Sequence, residues 1–234
     1  MKNSQHIESV EDLIASIESI IPDASGGYIL FRGQPNNDPL LPKVVRKNPN
    51  KDTSNLEIEI IREFRRRLAR ERDIAAMDAW DILVYAQHHG LATRLLDWTT
   101  NPLFALWFAC SESPSDGCIF IFDVSDEALL DASVDKDPFK IKKTYVVKPN
   151  INNSRIKAQS GWFTVHRYSK KDKKFVALHK DRSIKGTVLK KSIPRAKKLD
   201  ILKMLDKLGV NQESVYPGPE GTADYINWLH RDDL

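Results

Sequence analysis

Three observations in the sequence predict an α+β fold. Segments with helical spacing of apolar residues dominate the first half, at 7–21, 55–71 and 77–88. Strand-like runs dominate the second, at 117–124, 144–148, 161–166 and 184–194. Between them every residue from Leu103 to Ala109 is apolar, the mark of a central helix with no face that prefers water. Helices lead and strands follow, the order of an α+β chain.

In 7–21 the positions Ile7, Val10, Leu13, Ile14, Ile17 and Ile20 or Ile21 form one apolar face. Tyr28 to Phe31 reads as a short buried strand that Arg32 and Gly33 end. Residues 34–54, rich in Asn, Pro and Asp, read as loop with a turn at LPKVVRK. The segment 55–71 turns Ile58, Ile61, Phe64 or Arg65, and Leu68 to one side. Its arginines have i,i+4 partners among Glu57, Glu59, Glu63 and Glu71, which predicts a solvated face. The helix at 77–88 carries Trp80, Leu83, Val84 and Tyr85 inward and ends near Gly90. After the strand-like TRLLDW, Thr100 or Asn101 is placed to cap a helix whose first residue, Pro102, has no N–H to lose. That apolar helix is far shorter than the ~20 residues that span a bilayer. Near the end, a helix over 195–209 stops at Gly209, and a short one over 221–230 follows the turn PGPEG.

With 234 residues, 41% of them hydrophobic, the chain can bury a sizeable core, and one domain is predicted over 1–234. It divides into a helical part to about 112 and a β-rich basic part from about 113. The opening MKNSQHIESVEDL lacks the apolar stretch that export requires, so a cytoplasmic protein is expected. Cys110 and Cys118 form neither a disulfide framework nor a metal spacing, and the adjacent His88–His89 cannot easily face one ion, so no metal is expected. Net charge is only +4, yet residues 146–210 hold 18 Lys/Arg against 4 Asp/Glu, a local +14 that leaves −10 for the remainder. Such asymmetry fits an RNA, DNA or acidic protein partner, or else a solvated lysine surface, above all across SKKDKK (169–174), which reads as loop.

Two segments carry candidate chemistry. Arg32–Gly33 pairs a planar guanidinium with a residue that lets a backbone or a ligand come close, which suits phosphate. The run TRLLDWTT brings Arg94, Asp97, Thr99 and Thr100 to the start of the apolar helix, where buried charge must pair internally or with a ligand. Arg94–Asp97 with a threonine cap is the structural alternative. His88, Arg94, Asp97 and Thr99 or Thr100 are expected to converge on Arg32.

The blocks YILFRGQ, AQHHGLATRLLDWTTNPLFALWFA, RIKAQSGWFTVH and KKLDILKMLDKLGVNQESVYPGPEGTADYI resemble, in that order, the signature blocks of the FRG-domain family over about 27–227. More distantly, the order of elements is similar to that of ADP-ribosyltransferases. That resemblance implies a mixed or antiparallel β core with an N-terminal helical portion and a C-terminal helix pair. It also implies NAD as substrate, and a toxin or effector of a bacterial defence or toxin–antitoxin system that modifies nucleic acid or protein, with an antitoxin or other protein partner. Arg32 and Gly33 would then hold phosphate, Thr99 and Thr100 would frame the nicotinamide pocket, and His88, Arg94 and Asp97 would complete the NAD site. The late glutamate of that superfamily has no match. Gln159 stands nearest its place and Glu220 is the acidic alternative, yet only a carboxylate offsets the positive charge forming on the sugar. A non-catalytic nucleic-acid- or protein-binding module in the same fold is the alternative implied by that departure.

Overall fold

The computed structural model describes residues 5–20, 27–70, 74, 76–111, 113–132, 134–150 and 158–231. Glu71, Ile21 and the 155–157 part of the third signature block lie outside them.

Six strands form one antiparallel sheet: β1 (Tyr28–Gln34), β2 (Leu95–Thr99), β3 (Gly117–Val124), β4 (Tyr145–Val147), β5 (Gly161–Val165) and β8 (Gly186–Ile193), in the order β4-β5-β2-β1-β3-β8. The strands β6 (Tyr168–Ser169) and β7 (Lys174–Phe175) make a separate hairpin where the lysine-rich loop was expected. The α-helices among the described residues are α1 (Val10–Glu18), α2 (Ser54–Arg67), α3 (Ala79–His88), α4 (Pro102–Cys110), α5 (Lys198–Lys207), α6 (Gln212–Val215) and α7 (Pro219–Leu229). The fold is α+β, as the sequence indicates. Helices and strands are interleaved rather than sequential, because the two central strands β1 and β2 come from the first half.

Local chemistry accounts for most element ends. Ser9 and Asp12 close a capping box on α1. Asp78 caps α3 through Trp80 and Asp81. Of the two candidates at the apolar helix, Asn101 is the cap: its side chain accepts from the N–H groups of Leu103 and Phe104, with Pro102 at the first position. The strand β1 does not stop at Arg32 and Gly33. It runs on to Gln34, because β3 offers a partner at every position from Val124 opposite Tyr28 to Cys118 opposite Gln34.

The pairings place two helical layers on one face of the sheet. Phe31, Ile119, Ile121 and Ile193 pack against α4, α1 and α5, with Leu106, Leu13 and Ile201 in the same core. Leu95, Val147, Phe163 and Val165 meet Trp80, Leu83 and Val84 of α3. Since Phe31 is opposite Thr99 and Asp97 is opposite Phe163, both layers lie on the same side, and a gap is left between α4 and the end of α3. The reverse face buries Leu30, Leu96, Trp98, Phe120 and Phe122 under Leu40, Leu178 and Ile184.

Gly33 sits where α4 crosses β1. A Cβ there would overlap the Ala105 carbonyl oxygen and stand 2.6 Å from the Ala109 nitrogen. The close approach that this glycine permits is therefore that of a helix backbone. Cys110 and Cys118 are buried, and burial pushes the Cys110 thiol up to about 12, so it holds no thiolate at neutral pH. No helix of the described residues is long and apolar enough to cross a membrane.

A buried chain of polar groups runs behind the sheet. The Trp98 indole N–H donates to Thr164 Oγ1 (3.1 Å), which lies 3.0 Å from His166 Nε2. Burial holds His166 down to about 4, from an ordinary 6.5, so it is neutral at pH 7. Because the folded value lies below the unfolded one, the unfolded chain binds the extra proton. Stability is complete above pH 6.5 and is lost as pH falls toward 4. Between pH 7 and 5 this group removes about 2 kcal/mol. Urea unfolding at the two pH values should show that loss, and His166→Gln should abolish the pH-dependent part; an equal loss in both proteins would assign it elsewhere.

Candidate functional site

The strands β1 and β2 are matched only at Phe31–Thr99. Continued, the register would set Gly33 against Asp97, but the ladder stops and the strands part. The Arg32 guanidinium crosses the opening: Nη1 donates to the Asp97 carbonyl at 2.7 Å and Nε to Gln34 Oε1 at 3.2 Å. A side chain thus takes over a carbonyl that a full ladder would have satisfied.

The gap between α4 and α3 opens here into a cavity of about 590 Å³. Arg32, Gly33 and Phe31 line it from β1, Asp97, Trp98 and Thr99 from β2, Gln87 and His88 from α3, and Phe108 and Ser111 from α4. Lys43 and Arg46 reach it from a 3-10 turn at Lys43–Val45, with Gln159, Gly161, Trp162, Phe163 and Tyr216 opposite. The volume is that of an ordinary small-molecule site.

Arg32 is one-seventh exposed and lies 3.6 Å from the Asp97 carboxylate, which is itself more than half exposed. Burial pulls the guanidinium below its usual value and Asp97 opposes that shift; an arginine so placed still carries its charge. Asp97 also accepts from Gln87 Nε2 at 3.2 and 3.3 Å, and Gln87 Oε1 accepts from the Thr93 hydroxyl at 2.7 Å. Gln87 therefore aims Asp97. Asp97 thus bonds the protein and still reaches solvent. Thr99 Oγ1 donates to the Gln159 carbonyl at 2.6 Å and accepts from the Asn101 N–H. The Gln159 side-chain amide donates to the Val215 carbonyl at 3.0 Å. The next residue, Ser160, takes a left-handed φ of 47°.

Five of the sequence candidates with side chains, Arg32, His88, Asp97, Thr99 and Gln159, come together with Gly33 around this cavity. Three do not. Arg94 is 1% exposed and makes a two-pronged ion pair with Glu57 (Nε 3.1 Å, Nη2 3.0 Å), with Ser54 and the Phe139 ring completing its shell. Its partner is neither Asp97 nor a ligand. Glu57 accordingly faces the core, where the amphipathic reading had it solvated. Thr100 is exposed and uses its backbone N–H on Ser160. Glu220 is exposed in the first turn of α7, where the helix dipole favours an acid, and does not line the cavity.

Gln87, Lys43 and Arg46 also line the cavity, and no local sequence signal marks them apart from their neighbours in AQHHG and LPKVVRK. Tyr216 lines the cavity and meets Phe108 edge to face. Among the described residues no three His, Cys, Asp or Glu side chains form a metal cluster.

No curated protein and no solved structure matches the chain. A family model does: that of the FRG domain, over residues 27–117. This stretch supplies β1, α3, β2 and α4, while Gln159, Trp162 and Tyr216 come from beyond it. The Phe31-Arg32-Gly33 triplet and the Gln87–Thr99 wall are thus both inside the segment that matches the FRG-domain model.

Proposed function

We propose that the cavity binds NAD and that the protein transfers ADP-ribose from it to an acceptor. The observation that carries this reading is the pairing of a largely buried Arg32 guanidinium with Asp97, the one carboxylate among the described lining residues.

Bound NAD would supply an ADP-ribosyl group whose bond to nicotinamide breaks with the electron pair leaving on nicotinamide, while an acceptor oxygen or nitrogen bonds the sugar carbon and loses its proton. The residues fit that demand. Arg32 keeps part of its planar fork for phosphate oxygens, and Lys43 and Arg46 add positive charge at the rim. Asp97, oriented by Gln87, takes the place of the glutamate that the transferase pattern lacks: it bonds a ribose hydroxyl, offsets the positive charge developing on the sugar and accepts the acceptor's proton. Gln159 spends its amide N–H on Val215 and its carbonyl on Thr99, so it is a positioning residue that holds Thr99 and the wall beside it. Phe108, Phe163 and Tyr216 provide apolar walls for planar rings.

Nicotinamide release from NAD tests this. Arg32→Lys should lower kcat/KM roughly 100-fold, since an ammonium cannot reproduce the fork, and Asp97→Asn should lower kcat by roughly 100-fold or more with melting unchanged. Saturable NAD binding without release would favour the binding-module reading. Absence of both binding and release would end the NAD assignment.

A further inference from the structure

The cavity's cationic rim continues onto a basic surface that the fold brings to it from a distant part of the chain. Lys43, Arg46, Lys47 and Lys51 are exposed on the segment that leaves the cavity mouth. The β6–β7 hairpin packs directly on that segment. Phe175 and Tyr168 join Leu41, Val44 and Val45 in one small core, the Phe175 N–H donates to the Pro49 carbonyl at 2.8 Å, and the Tyr168 hydroxyl donates to the Asn50 carbonyl at 3.3 Å. At the hairpin's tip Lys170, Lys171, Lys173 and Lys174 are all exposed. No ion pair among the described residues engages any of these eight cations, and Asp172 turns to the Ser169 hydroxyl. Across 43–52 and 167–175 nine Lys/Arg face two Asp/Glu, Asp52 and Asp172, a net +7.

We infer that the acceptor is a single-stranded nucleic acid whose phosphates track the hairpin lysines and the 43–51 segment, delivering one nucleotide into the cavity. This rests on the transfer reading for the word acceptor, but the binding surface stands independently of it. A group of exposed cations outside any carboxylate ion pair suits a phosphodiester chain, with affinity gained by release of counterions. Single strands are required because a cavity of about 590 Å³ leaves room at its mouth for one splayed base but not for a base pair attached to its duplex.

The test is fluorescence anisotropy of a labelled 12-nucleotide RNA, the DNA of the same sequence, and the corresponding duplex, with the full chain and no NAD, from 50 to 200 mM salt. Single strands should bind more tightly than duplex, and the tighter of RNA and DNA names the sugar. The variant K170A/K171A/K173A/K174A should bind about tenfold or more weakly, with a log–log salt slope shallower by roughly 3 units, as expected for four lost phosphate contacts. Its melting temperature and its NAD binding, measured without oligonucleotide, should match the wild type. Equal binding by variant and wild type, preference for duplex, no binding at 50 mM salt, or ADP-ribose transferred to protein and not to the oligonucleotide would each overturn the inference. Strand binding with no turnover of NAD would instead remove the transfer reading and leave this surface in place.

Discussion

Gly33→Ala is expected to cost about 3 kcal/mol or more without removing any polar group from the cavity. The added methyl has no flexible neighbour to displace. It meets the Ala105 carbonyl and the Ala109 nitrogen, both main-chain atoms of α4, so the helix itself must move off β1. That helix is the centre of its core, with Ala105, Leu106 and Ala109 wholly buried, so a shift opens voids against Phe31 and Ile119. Urea unfolding would check the figure. A loss below about 1 kcal/mol would show that α4 yields easily and that Gly33 serves something other than packing.

Arg94→Ala should cost about 4 kcal/mol, because it leaves the Glu57 carboxylate buried with only the Thr53 hydroxyl, at 2.7 Å, to solvate it. A buried pair resists the loss of one member far more than the loss of both. The double variant Arg94→Met with Glu57→Met should therefore recover most of that stability. Activity per folded molecule should persist, since neither residue lines the cavity. A stable Arg94→Ala protein that fails to bind NAD would return Arg94 to the ligand.

These two residues also mark what could and could not be read from the chain. Local signals were legible: Asn101 and Pro102 start α4 as their side-chain chemistry requires, and 117–124 is the strand its apolar run describes. The gathering of Arg32 with Asp97 and Thr99 was legible too, since charge beside an apolar helix needs a partner or a ligand, whereas Gln159 was legible only through the transferase resemblance. Partner choice was not. Glu57 and Asp97 are both carboxylates, and nothing in spacing tells Arg94 to reach 37 residues back to one and ignore the other three residues on. Only the packing of α2 against the sheet decides it. Gly33 was legible as a site of close approach, whereas the identity of what approaches depends on the crossing of α4. The opening between β1 and β2 likewise has no local signature. It arises because β2 follows β5 for five residue pairs and meets β1 at one, and that mismatch turns a strand-end arginine into the wall of a cavity.

The most direct measurement is the structure of the protein with NAD bound. The pyrophosphate should lie within hydrogen-bond reach of the Arg32 guanidinium and the nicotinamide-side ribose beside Asp97, with Gln87 still holding that carboxylate. NAD seated away from the β1–β2 opening, or turned so that Asp97 meets no ribose, would contradict that placement.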